Sequence, residues 1–197
     1  MEKKKLGFVF TSSYCTLDEV LLQVSLLVGD GHEVFPIASE NLVAYDTRFG
    51  KSVKFRESVE KITGKKLIDT FVEAEKFGPS EPLDAIVVAP ATGNFVAKLS
   101  NGITDNAALM ATKATLRNGS PIVIGVSTND GLGANGQNIT RLLNTKNIYF
   151  IPFGQDDPVK KPNSLIAHYD QLVPTLYDAL ERKQFQPVLK EHQKILK

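Results

Sequence analysis

The stretch Ala85-Ile86-Val87-Val88-Ala89-Pro90-Ala91-Thr92-Gly93-Asn94 joins two signals. Its first five residues are apolar without polar alternation, as in a strand covered on both faces of a parallel sheet. Small and polar residues follow at once, and Thr92 or Asn94 can open a short helix through Lys98. Similar runs, rich in Val, Ile and Phe, lie at 6–10, 33–37, 122–126 and 148–151.

Helical patterns separate these runs. Leu17, Val20, Leu21, Val24, Leu27 and Val28 recur at three and four residues. Thr16 and Glu19 have capping-box spacing just ahead of them, and Gly29 or Gly31 can end the helix. A second helix is expected from about 105 to 118, with Gly119 and Pro121 as stop signals. A third is expected from Ser164, with Leu165, Tyr169, Leu172, Leu176 and Leu180 on one face and Pro174 as a kink or restart. Residues 41–82 read as one or two surface helices, with Phe55, Val59 and Ile62 at helical spacing and Gly64 as a stop. The polar, proline-containing stretch 155–163 reads as a loop. Strands alternating with helices predict an α/β fold with a doubly wound parallel sheet and helices on both faces. One domain over 1–197 is expected, with the helices of 164–197 packed on it or extending from it.

Composition narrows the function. Hydrophobic residues make up 42% and charged residues 23%, and the net charge is +1. No global field favours nucleic acid or an anionic membrane. Cys15 is the lone cysteine, so an intrachain disulfide and a cysteine-rich zinc site are excluded. No apolar run approaches the roughly 20 residues of a membrane helix. Lys3 to Lys5 are followed by too short an apolar stretch for a signal peptide. A cytoplasmic protein is expected.

Doubly wound sheets bind ligands beyond the carboxyl ends of their strands. After 6–10 comes Thr11-Ser12-Ser13-Tyr14-Cys15, running into a helix start. Hydroxyls and free amides there suit a phosphate, although an ordinary N-cap would look the same. After 85–89 comes Pro90-Ala91-Thr92-Gly93-Asn94, whose small residues let a flat ligand approach the backbone. After 122–126 comes Ser127-Thr128-Asn129-Asp130, then Gly131-Leu132-Gly133-Ala134-Asn135-Gly136, a formal GxGxxG with Asp156 and Asp157 further on. A dinucleotide site is thus an alternative. Against it, four polar residues precede the glycines and the first strand–helix turn has none. Three polar, small-residue loops favour a mononucleotide.

The run Ala89-Pro90-Ala91-Thr92-Gly93-Asn94-Phe95-Val96-Ala97-Lys98, followed by Asn101-Gly102-Ile103-Thr104-Asp105-Asn106, resembles a signature of the homo-oligomeric flavin-containing cysteine decarboxylases. That family has Pro-Ala-Ser-Ala-Asn-Thr, then Ala-Lys, then Gly-Ile-Ala-Asp-Asn. Its Thr-Gly-Ser loop falls on Thr11-Ser12-Ser13. Its Pro-Ala-Met-Asn segment falls on Val126-Ser127-Thr128-Asn129, where Asn129 is kept, and Asn135 also matches. The likeness spans roughly 6–153. It implies a flavodoxin-like, Rossmann-like fold that binds FMN. The phosphate would sit on Thr11, Ser12 and Ser13, with Ser39 and Asn41 as a second contact. The isoalloxazine would lie against Pro90, Ala91, Thr92, Gly93 and Asn94, with Ser127, Thr128 and Asn129 nearby. A homo-oligomer, trimer or larger, with flavins near the interfaces between copies is also implied.

The departures redirect the expected chemistry. The decarboxylases carry a catalytic histidine ahead of the Pro-Ala-Ser-Ala-Asn strand, and here 67–84 has none. His32 precedes a strand, at the wrong end for the crevice, while His168 and His192 are expected on the solvated surface. The likeness then points to a branch in which the flavoprotein works with a second, different polypeptide to aromatise a cyclic dicarboxylate. A self-sufficient oxidoreductase, a non-catalytic stabilising component and a decarboxylase with a relocated catalytic group stand as alternatives. Lys98 and Arg141 are candidate carboxylate partners.

Overall fold

Parallel pairing assembles the apolar runs into one twisted sheet. The computed structural model describes residues 2–47 and 50–191. The strands β1 (Lys5–Phe10), β2 (Glu33–Ala38), β3 (Ala85–Ala91), β4 (Ile122–Thr128) and β5 (Ile148–Phe150) are parallel and lie side by side in the order β2-β1-β3-β4-β5. Gly7 stands opposite Phe35 and Ile86, and Val123 stands between Val87 and Tyr149. Phe8, Phe10, Ile86, Ile122 and Ile124 are wholly buried. Each such side chain stabilises the fold by about 1.5–3 kcal/mol against exposure. Burial on both faces is why these strands read as unbroken apolar runs.

The helices are α1 (Leu17–Gly29), α2 (Glu40–Ala44), α3 (Ser52–Thr63), α4 (Phe71–Glu75), α5 (Gly93–Ser100), α6 (Ala107–Arg117), α7 (Gly136–Leu143) and α8 (Leu172–Leu180). In α1 the residues Leu17, Val20, Val24 and Leu27 are buried, as their spacing predicts. The capping box does not form. A 3-10 turn, Tyr14–Thr16, precedes α1, and Thr16 Oγ1 donates to Ser13 O instead of receiving an amide. Gly64 ends α3 in the left-handed region, at φ 66°, which a residue without Cβ adopts freely. The stretch 41–82 holds most of α2 and all of α3 and α4 rather than one or two helices, and Ile68 pairs with Ile37 in an isolated bridge.

The C-terminal third differs most from expectation. The loop expected at 155–163 is a hairpin, and the helix expected from Ser164 begins at Leu172. Strands β6 (Phe153–Asp157) and β7 (Lys161–Ala167) pair antiparallel, and β7 also pairs with the end of β4 through Ser127 and Thr128. Ser164, Leu165 and Ala167 are buried in a strand, and a 3-10 turn, Tyr169–Gln171, leads into α8. Pro174 lies in the first turn of α8, where an amide has no intrahelical acceptor, so it neither kinks nor interrupts the helix. No helix among the described residues is long and apolar enough to cross a membrane.

Candidate functional site

The strand order reverses direction between β1 and β3. That is the switch point at which doubly wound sheets leave a crevice. A recess of about 90 Å³ lies there, lined by the ends of β1 (Thr11, Ser12), β2 (Ser39, Glu40, Asn41) and β3 (Thr92, Asn94, Phe95), closed by Lys98, Asn106 and Leu109. The starts of α2, α5 and α6 meet at it through their N-cap residues Ser39, Thr92 and Asn106. Helix starts carry partial positive charge and suit anions. The Thr92 hydroxyl accepts from Phe95 N at 3.4 Å, and the Asn106 side chain accepts from Leu109 N at 3.0 Å. Lys98 adds a cation, already paired with Asp105, and Glu40 adds an opposing carboxylate.

Ser39 differs from the other caps. Its hydroxyl makes no cap bond, is buried and has no hydrogen-bond partner. A buried orphan hydroxyl costs free energy unless a ligand satisfies it. Thr11 is the reverse case. Its hydroxyl donates to Pro90 O at 2.7 Å and accepts from Thr92 N at 3.0 Å, so it ties the β1 loop to the β3 loop. Ser13 turns away from the recess and shares a 2.7 Å hydrogen bond with Ser127 across to β4.

The recess therefore gathers Thr11, Ser12, Ser39, Thr92 and Asn94 from the residues expected to bind a ligand. Pro90, Ala91 and Gly93 are close-packed behind it: Ala91 and Gly93 are buried, and Ala89-Pro90 is a cis peptide. Ser127 is held by Ser13, Thr128 belongs to a neighbouring polar cluster, and Asn129 is exposed. In that cluster Asp130 accepts from Thr128 and from Asn135 Nδ2 at 2.9 and 3.0 Å, and Asn138 donates to Asn135. The Thr128 hydroxyl, ahead of Asn135, holds the Asp130 carboxyl below the usual aspartate range. This cluster makes glycine necessary at 93. A Cβ there would lie 2.5 Å from Asn135 Nδ2 and 2.6 Å from Thr128 Oγ1. The glycines Gly131, Gly133 and Gly136 form the turn that carries this cluster into α7 and do not line the recess.

Lys98, Asn106 and Leu109 reach the recess because α5 and α6 fold back on each other. Asn106 belongs to the Asp105-Asn106 signature pair, but its role as an α6 cap became apparent with the fold. Arg141 lies away from the recess, donating to Ser100 O and Asn101 Oδ1. No described histidine lines the recess. His32 is buried at the opposite end of the sheet, accepting from Lys4 N and bonded to the Tyr177 hydroxyl at 3.1 Å. His168 is half-buried beside α1 rather than solvated, and His192 lies outside the described residues.

Known proteins match this architecture. The B-subunit of dipicolinate synthase from Bacillus subtilis (strain 168) is 50% identical over 192 residues, covering 98% of this chain and 96% of that protein. The crystal structure of the B-subunit of dipicolinate synthase from Bacillus halodurans C is 51% identical, with TM-score 0.88 over 95% of this chain and 96% of that one. The FMN-dependent cysteine decarboxylase SpaF shares the fold at TM-score 0.62 and 19% identity, over 90% of this chain and 97% of that one. The Flavoprotein family profile matches residues 1–173. With that profile running through the three site loops and into α8, and with half its residues identical to a dipicolinate synthase component, the chain belongs to the Flavoprotein family.

Proposed function

We propose that this chain is the FMN-holding subunit of a dipicolinate synthase, acting with the synthase's A-subunit to oxidise dihydrodipicolinate to dipicolinate during sporulation. The observation that carries the cofactor assignment is the orphan Ser39 hydroxyl, buried at the switch point among helix starts. The 50% identity to a dipicolinate synthase component, over nearly the whole chain, supports the reaction.

In this site Ser12 and Ser39 would hold the phosphate, aided by the helix starts. Thr11 and Ser13 would act indirectly, since their hydroxyls already brace the loops. Thr92 and Asn94 would meet the isoalloxazine edge, over the tight floor made by Pro90, Ala91 and Gly93. Ser127, Thr128 and Asn129 would flank it. Bound FMN supplies a hydride acceptor, which suits removal of two hydrogens from a ring that becomes aromatic. The A-subunit would carry the nicotinamide cofactor. A recess of about 90 Å³ is well below the ~300–1,000 Å³ of pockets that enclose whole small molecules. The flavin ring would therefore project from it, and a second copy of the chain in a trimer or larger assembly would cover it. That no described histidine lines the recess speaks against decarboxylation.

The test is a spectrum followed by an assay. Purified protein should show flavin absorbance and release FMN on denaturation. Dihydrodipicolinate oxidation should require both polypeptides. Colourless protein that fails to take up added FMN would overturn the cofactor assignment, and full turnover by this chain alone would overturn the need for a partner.

A further inference from the structure

A second cavity opens beside the recess, between α1 and α3. Its volume is about 340 Å³, within the ~300–1,000 Å³ typical of small-molecule pockets. Tyr14, Leu21 and Phe55 form its apolar wall, each packed partly against the core. Lys51, Lys54 and Ser58 stand at its rim, and all three are exposed. Lys51 is the N-cap of α3 and Lys54 lies in its first turn, and both line this one cavity. Neither has a carboxylate within ion-pair distance among the described residues, and Asp18 is the acidic residue on the opposite wall. Asp46 is already engaged, accepting from Ser52 N and Ser52 Oγ at 2.9 and 3.1 Å.

We infer that this groove binds a planar aromatic dicarboxylate, the ring against Tyr14 and Phe55 and the carboxylates on Lys51 and Lys54. An aromatic wall rewards a flat ring, and two cations on one rim suit two carboxylates along one edge of it. The groove is separate from the recess but adjoins it through one side chain. Tyr14 lines the groove, and its hydroxyl donates to Asn41 O at 3.1 Å, where Asn41 lines the recess. A ligand seated here lies one residue from the proposed flavin site. The identity of the dicarboxylate as the dipicolinate ring rests on the function proposed above.

The probe is pyridine-2,6-dicarboxylate itself, titrated calorimetrically into the full chain in metal-free buffer, with and without FMN. Binding should occur, and the Lys51→Gln/Lys54→Gln double variant should weaken it by about tenfold or more, near 1.4 kcal/mol. Phe55→Ala should weaken it as well, while the flavin content of both variants stays at the wild-type level. Benzene-1,3-dicarboxylate should compete, and inorganic phosphate at equal concentration should not. Equal competition by phosphate would reduce the groove to a general anion site and overturn the proposal. Binding unaffected by either variant would place the ligand elsewhere and overturn it too. Failure of the flavin assignment shows separately, as absent FMN uptake with dicarboxylate binding intact.

Discussion

Ser39 and Asp130 show how single polar groups are placed for opposite ends. An N-cap serine replaced by alanine ordinarily costs about 0.5–2 kcal/mol. Ser39 makes no cap bond and its buried hydroxyl has no partner. Ser39→Ala is therefore expected to leave the ligand-free protein as stable as before, or up to about 1 kcal/mol more stable, because an unsatisfied buried hydroxyl is removed. FMN affinity should fall in the same variant. Chemical denaturation and a flavin titration read the two effects apart, and a loss of stability with unchanged affinity would show an ordinary cap. Asp130 is fully engaged instead. The Thr128 hydroxyl and Asn135 amide hold its carboxyl below the ordinary 3.8. A depressed folded-state value means the unfolded chain takes up the proton first. The stabilisation is complete above the unfolded value and is lost as pH falls through the folded one. Asp130→Asn should thus flatten the decline in stability below pH 3.8. At neutral pH it should cost about 1–3 kcal/mol, because a new amide would face the Asn135 donor. Urea midpoints at several pH values decide this.

At the scale of elements, α8 is tied to α1 and β2 by one tyrosine. The Tyr177 hydroxyl donates to Asp30 Oδ2 at 2.6 Å and meets His32 Nε2 at 3.1 Å. Burial, then the Asp30 hydrogen bond, pushes its hydroxyl up to about 12 from 10.0. The folded protein keeps this proton where the unfolded chain has lost it, so stability falls as pH rises from 10.0 toward about 12. Tyr177→Phe should remove one late step from the tyrosine absorbance titration and soften that alkaline loss. It should also lower stability at neutral pH by about 0.5–1.5 kcal/mol. His32 could be excluded from the crevice by sequence position alone, but its partner on α8 could not be foreseen. The parallel strands were legible because burial on both faces leaves no polar alternation. The β6–β7 hairpin was not. Pro158 and Pro162 in a polar stretch look like a loop, and the hairpin is held by pairing with the end of β4, a non-local contact. Leu165 and Tyr169 stand four apart by coincidence, one in a strand and the other in a 3-10 turn. Residues that line the recess were legible in two ways, Ser12 and Thr92 because they follow strands and Ser39 through the family resemblance. Ser13 was not legible as a brace, because its bond to Ser127 joins residues 114 apart in sequence.

At the scale of the molecule, the recess is shared by the ends of three adjacent strands, β2, β1 and β3, rather than carried on one loop. Thr11 already couples the β1 and β3 loops, and Ser39 N donates to Phe10 O to couple β2 to β1. A ligand that bridges all three would bind the folded chain and not the unfolded one, so it should shift the whole unfolding equilibrium. FMN at a hundred times its dissociation constant is then expected to add about 2.7 kcal/mol. For a chain of this size each kcal/mol raises Tm by about 2–4 °C, so the shift should be about 5–11 °C. Riboflavin, which lacks the phosphate, should give a clearly smaller shift, because Ser12, Ser39 and the helix starts would lose the anion proposed for them. Scanning calorimetry with each ligand reads this directly. Equal shifts from FMN and riboflavin would mean that the ring alone is held and that the recess is not the phosphate site. A shift for FMN that disappears in Ser39→Ala while riboflavin's persists would place the phosphate on that hydroxyl.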